Sequence, residues 1–139
     1  MKTSILVDTN VFVDVMTFNS AWFDWSRAAL SLAVESSRVV INPIIYAEIG
    51  TRFSTSEELD GQHFMRFLDR EEVPWQAAFL AGQAHLQYRR LGGTKLTTLS
   101  DFFIGAHALV SGHRLLTRDS RRFETYFPEV RVISPESSA

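Results

Sequence analysis

Four carboxylates stand where elements of secondary structure should meet. Asp8 ends the apolar run Ile5-Leu6-Val7, Glu48 follows Asn42-Pro43 inside an apolar stretch, Asp101 follows Ser100, and Asp119 follows Leu115-Leu116-Thr117-Arg118. Each has an ordinary reading by itself. Asp8 and Asp119 would cap helices, and the helix dipole favours an acid such as Asp101 at an amino end. Glu48, flanked by Ile44, Ile45, Ala47 and Ile49, would need an ion pair with an arginine or a metal. Strand and helix alternation, however, puts Asp8 and Asp119 at carboxyl ends of strands that can be parallel, where the crevice of an α/β sheet takes its ligand. Three or four carboxylates converging there raise one another's pKa and cannot all stay ionised without a cation. A hard divalent ion, Mg2+ or Mn2+, takes oxygen ligands and keeps waters, which leaves room for a phosphate oxygen and an attacking water. Two ions about 3.5 to 4 Å apart would clamp both the attacking and the leaving oxygen of a phosphodiester.

The composition fits one ordinary domain over residues 1–139, with a core over about 4–135 and a polar tail over 136–139. With 45% apolar residues and eleven phenylalanines, a chain this long buries roughly two thirds of its unfolded surface. Cysteine is absent, so any metal site must use oxygen and histidine. No apolar run approaches the roughly 18 residues of a membrane span and no signal peptide is recognisable, which leads us to expect a cytoplasmic protein with no membrane partner. The net charge of −2 does not advertise a nucleic-acid binder. Setting four of the sixteen acids aside as ligands leaves twelve against fourteen basic residues, and twelve of those fourteen are arginines, whose planar fork pairs with phosphate.

The elements that must position the acids follow from pattern. Strands are expected at 5–8, 38–42, 114–117 and 130–133. Helices are expected at 11–16, capped by Asp8 or Asn10, at 20–36, and from Asn42 as N-cap with Pro43 at the first position. Further helices are expected at 55–70, carrying Phe64, Phe67 and Leu68 inward, at 75–91, stopped by Gly92-Gly93, from Ser100 as cap, and at 120–127. The stretch 92–98 is a flexible basic loop with Arg89, Arg90 and Lys95 around it. The histidines have no ligand spacing: His107 reads as a hydrogen-bonded core residue, His63 and His113 as surface residues, and His85 is undecided. No repeat or low-complexity segment interrupts the chain.

Asp8-Thr9-Asn10, Tyr46-Ala47-Glu48-Ile49, the run from Leu99 through Asp101 to Ala108, and Thr117-Arg118-Asp119 closely resemble the PIN-domain ribonucleases and, within them, the VapC toxins. The turns Phe127-Pro128 and Ile133-Ser134-Pro135 add to the likeness, which runs from Ile5 to Pro135. The resemblance implies a three-layer α/β/α domain with a central, mainly parallel sheet. It also implies a Mg2+ or Mn2+ dependent endoribonuclease, a cognate VapB-like antitoxin, and a homodimeric toxin. Asp8, Glu48, Asp101 and Asp119 fall on the acidic ligands and Thr117 on the supporting hydroxyl, with Asn10 beside it; Arg89, Arg90, Lys95, Arg118 and Arg121 are the candidates for RNA contact. Gly105 and His107 depart from the alanines such toxins commonly carry there.

Two other functions are kept in view. A phosphatase of the haloacid dehalogenase type also opens on an apolar strand ending in an acid, with Asp8 then the nucleophile, but wants a second acid where this chain has Asn10. A degenerate PIN domain would act only as a binding or repression partner; all four acids being intact argues against it, since a chain freed from catalysis has no reason to keep like charges together. The crowding of Trp22, Phe23, Trp25, Phe53, Phe64 and Phe67 leads us to expect a groove for an amphipathic antitoxin segment, which could set an arginine into the acidic crevice.

Overall fold

The computed structural model describes residues 3–19, 21–95 and 98–136. Five short strands form one parallel sheet: β1 (Ser4–Val7), β2 (Arg38–Ile41), β3 (Leu68–Arg70), β4 (Arg114–Leu116) and β5 (Val132–Ile133), in the spatial order β3-β2-β1-β4-β5. The central strands read as unbroken apolar runs because both faces are covered; Ile5, Leu6, Val7, Val39, Val40, Ile41, Leu115 and Leu116 are all essentially inaccessible. Seven helices among the described residues cover them in a three-layer α/β/α arrangement: α1 (Thr9–Met16), α2 (Phe23–Ser36), α3 (Pro43–Gly50), α4 (Ser56–Asp60), α5 (Trp75–Arg90), α6 (Thr98–Ser111) and α7 (Arg121–Tyr126). The chain leaves β1 toward β2 on one side and later returns to β4 on the other. The order therefore reverses between β1 and β4, and a crevice opens there at the carboxyl ends of the strands.

Local chemistry explains most boundaries. The Asn42 side chain accepts the Ile45 N–H at 2.9 Å with Pro43 in the first turn of α3, and Gly92 takes φ +92° just past α5. The stretch 55–70 is not one helix. Thr55 caps α4, which ends at Gly61 after five residues; His63–Phe67 is a 3₁₀ turn, and Leu68–Arg70 pairs with β2 as an edge strand. Ladder bonds to β2 override the helical pattern there, and Phe67 is left half exposed rather than inward. Helix α2 starts at Phe23 because Asn19 accepts the N–H groups of Ala21 and Trp22, and Ser20 lies outside the described residues. Helix α6 starts at Thr98, so Ser100 sits inside its first turn instead of capping it; Leu96 and Thr97 of the basic loop lie outside the described residues. His113 is buried, not a surface residue, because it precedes β4 against Ser4 of β1.

Candidate metal centre

Asp8 is the pivot of the crevice. One carboxylate oxygen accepts the Thr9 N–H at 2.8 Å and so caps α1, while the other accepts the Thr117 hydroxyl at 2.8 Å from the loop after β4. The cap and the site are therefore the same residue. Its side chain is almost fully buried, and burial pushes its carboxyl up to about 7, with the charges of Asp101 and Glu48 adding to the rise and the bonds from Thr117 and Thr9 opposing it. The Thr117 Oγ1 also accepts from Asn10 Nδ2 at 3.3 Å and from the Asp119 N–H at 3.2 Å, and Asn10 Oδ1 accepts the Arg118 N–H at 3.1 Å. Thr117 and Asn10 thus fasten the loop carrying Asp119 to the start of α1.

Glu48 has hydroxyl partners. Thr9 donates to it at 2.7 Å and Ser100 at 3.3 Å, and no arginine among the described residues pairs with it. Asp101 is about one third exposed and bonded at 2.6 Å to Arg122 Nη1. Burial raises the Asp101 carboxyl, Arg122 lowers it, and Glu48 and Asp119 raise it further. Asp119 is 62% exposed, accepts the Arg121 N–H at a marginal 3.4 Å and has the Arg121 guanidinium 3.8 Å from the same oxygen. Asp8, Asn10, Lys95, Asp101, Asp119, Arg121, Arg122 and Phe123 line one cleft of about 280 Å³. Glu48 reaches the same group through Thr9 and Ser100. The donors that Asp8, Asp101 and Asp119 offer the cleft are all oxygen, the chemistry that a hard divalent cation such as Mg2+ or Mn2+ prefers, but no three of the four acids bring their oxygens within 4.8 Å of one another.

The basic residues divide. Arg121 is almost fully exposed beside Asp119, Lys95 lines the cleft, and Arg89 and Arg90 are exposed in the last turn of α5. Arg118 is different: its guanidinium is bidentate on the wholly buried Asp14, at 2.8 and 3.1 Å, and lies over the Trp22 ring, with Ser26 also bonded to Asp14. It serves as a strut between the β4 loop and α1, with little charge left for a phosphate.

Sequence reasoning missed Arg122. A signal was available, because Arg121-Arg122 open α7, where the helix dipole disfavours cations, so at least one of them must answer an acid nearby. It also missed a histidine cluster. Glu71 Oε1 meets His107 Nε2 at 3.1 Å and His113 Nε2 at 2.7 Å, with Arg38 on its other oxygen at 2.7 Å. These groups lie within 4.8 Å of one another, close enough to share a metal, although their sequence spacing does not announce it. Proton placement points the other way. Asn42 Oδ1 is taken by the Ile45 N–H, so Asn42 Nδ2 faces His107 Nδ1 at 3.0 Å and must donate to it. The His107 proton is then on Nε2, donated to Glu71, where a ligand would need a lone pair. The cluster is a satisfied hydrogen-bond network, and His107 is the core residue expected of it. Burial alone would push the Glu71 carboxyl up, but Arg38, His113 and His107 together hold it down at about 2.

Comparison with known proteins adds a family and a fold. Residues 5–128 match the PIN domain family. No curated protein matches the chain by sequence. Among solved structures, the chain is similar to VapBC2 from Rickettsia felis bound to a promoter DNA fragment, at TM-score 0.70 and 19% identity over 95% of this chain and 98% of that one. It is also similar to DNA-bound VapBC from Salmonella typhimurium, at TM-score 0.67 and 24% identity over 95% and 98% of the two chains. A third, FitAcB from Neisseria gonorrhoeae, has TM-score 0.64 and 22% identity, again over 95% and 98%.

Proposed function

The chain belongs to the PIN domain family, and from that premise we propose that it is a VapC-like toxin: a Mg2+ or Mn2+ dependent endoribonuclease held in check by a cognate VapB-like antitoxin. The observation that carries the reading is the buried Asp8 carboxyl, met only by a hydroxyl and a backbone N–H and set with Asp101 and Asp119 on one cleft at the point where the strand order reverses. Asp8, Glu48, Asp101 and Asp119 would hold the cation, which would supply Lewis-acid stabilisation at a phosphodiester and promote attack by water. The chain's own part is to present the oxygens. Thr117 and the Thr9 N–H orient Asp8, and Thr9 and Ser100 orient Glu48. Lys95 and Arg121 at the rim, with Arg89 and Arg90 beyond, would attract the RNA backbone.

The similarity to the VapBC structures supports an antitoxin partner. A groove lined by Val15, Leu30, Val34, Phe64, Phe67 and Leu68 suits the apolar face of an amphipathic segment. Of the six aromatic residues first grouped for this role, only Phe64 and Phe67 line that groove; Trp25 lines another, and Trp22 packs on Arg118. Trp75, Phe79 and Leu86, exposed along α5, suit a second copy of the chain. No helix among the described residues is long and apolar enough to cross a membrane, and an RNA substrate would fit action in the cytoplasm.

The test is cleavage of a structured RNA by the purified protein with Mn2+, with EDTA, and by Asp8→Asn. Cleavage that requires the metal and is lost in the variant supports the reading. Cleavage that survives both EDTA and the variant removes it.

A further inference from the structure

Arg122 occupies a position that the proposed reaction does not use. Its Nη1 lies 2.6 Å from Asp101 Oδ2, both side chains are about one third exposed, and both line the acidic cleft. A cation at the start of α7 works against the helix dipole, so local helix stability does not explain it. Packing does explain how it gets there. Gly105 lies one turn after Asp101 on α6, and a Cβ added to it would come within 2.5 Å of Phe127 Cδ2 and 3.1 Å of Phe123 Cδ1. The missing side chain lets the α7 segment sit down on α6, and Phe123 is the residue next to Arg122. One close approach thus brings the guanidinium onto a carboxylate that the cation would need.

A guanidinium and a divalent cation compete for the same oxygen lone pairs, and a displaced arginine in a cleft rimmed by acids needs another anion. The Tyr88 ring, 5.8 Å from the guanidinium carbon, flanks its position. We propose that Arg122 has two successive partners: it neutralises Asp101 until a divalent cation takes that carboxylate, and it then pairs with a phosphate oxygen of the RNA. The inference rests on the nuclease reading for its second partner and on geometry alone for its first. Arg122 is therefore a positioning residue toward Asp101 and a binding residue toward the substrate.

The experiment pairs a calorimetric Mn2+ titration with RNA cleavage and with binding of a fluorescent structured RNA in Ca2+, for wild type, Arg122→Ala, Arg122→Lys and, as a charge control, Arg131→Ala. Arg122→Ala should bind Mn2+ about two- to five-fold more tightly, the range expected from removing a partly exposed ion pair. It should nevertheless bind the RNA more weakly and cleave it about tenfold or more slowly, having lost one charge-assisted hydrogen bond. Arg122→Lys should fall between, and Arg131→Ala should follow wild type in all three measurements. Mn2+ affinity that is unchanged or weaker in Arg122→Ala overturns the competition for Asp101. Unchanged RNA binding and cleavage in that variant overturn the phosphate contact. A wild type that cleaves no RNA overturns the nuclease reading and the phosphate contact with it, and the Mn2+ titration still decides the competition.

Discussion

Asp8 should leave a mark on stability whose sign differs from that of most acids. In the unfolded chain its carboxyl ionises near the ordinary value of 3.8, whereas in the folded protein burial first, then Asp101 and Glu48, raise it to about 7. Between those two values the native state keeps a proton that the unfolded state has released. Stability therefore falls as pH rises through that window, is unaffected by this group below it, and levels off above about 7. The slope is about 1.4 kcal/mol per pH unit, so the whole window is worth about 4 kcal/mol, and the part between about pH 5.5 and 7 is worth about 2 kcal/mol. Asp8→Asn has no such charge to bury, keeps an oxygen for the Thr9 N–H, and caps a helix about as well. For a chain of this length about 2 kcal/mol corresponds to about 7 °C in Tm.

The assay is a pair of thermal melts, wild type and Asp8→Asn, in EDTA at about pH 5.5 and about pH 8.5. Other groups titrate in both proteins, so the quantity read is the gap between them. The gap should widen in favour of the variant by about 7 °C at the higher pH. One bound ion at ten times its Kd should then add about 1.4 kcal/mol to the wild type and nothing to the variant. A gap that is the same at both pH values means that Asp8 ionises as an ordinary surface acid, and the reasoning from burial to metal site would be refuted.

Because the same proton must leave before Asp8 can act as a ligand, Mn2+ affinity should weaken by about tenfold for each pH unit below about 7 and should flatten above it, as read by calorimetry across a pH series. Gly105→Ala should cost about 1 to 3 kcal/mol by forcing its methyl against the buried Phe127 ring, read as a fall in urea midpoint with the m-value unchanged. Glu71 is held down at about 2 from an ordinary 4.5, so it contributes stability above that ordinary value which is lost as pH falls through the lower one. Glu71→Gln should accordingly cost up to about 3 kcal/mol near neutral pH and should flatten acid denaturation between about pH 4.5 and 2, followed by circular dichroism.

What could be read from the chain and what could not divide along one physical line. The strands carrying Asp8 and Thr117, the Asn42-Pro43 start of α3 and the Gly92 stop are local patterns, in which a residue's own neighbours dictate its conformation, and the structure agrees with them within a few residues. Leu68-Asp69-Arg70 has no local reason to be extended; only the open edge of β2 makes it a strand, and that edge is invisible until the sheet is assembled. Polar residues obey the same division. Side chains alternate along a strand, and the parallel registers Ser4 with Arg38 and Leu6 with Leu115 put Asp8, Asn42, Glu71, His113 and Thr117 on one face of the sheet, beneath α6.

That shared face carries two opposite solutions to the problem of a buried charge. Around Glu71, the negative charge is met by Arg38 and by the ring nitrogens of His107 and His113, and the carboxyl is held far below its ordinary range. Around Asp8, the donors are a hydroxyl and one backbone N–H, no cation among the described residues bonds the carboxylate, and the neighbouring charges are negative, so the carboxyl rises. A fold that needed only stability would have treated both acids alike, because an arginine or histidine beside Asp8 would remove its penalty as Arg38 removes that of Glu71. Arg122 stops one carboxylate short, on Asp101, and Arg118 is committed to Asp14. The buried carboxyl without a cationic partner is thus left where β1 and β4 part, on the cleft it shares with Asp101 and Asp119, and a divalent cation is the kind of partner that would relieve it.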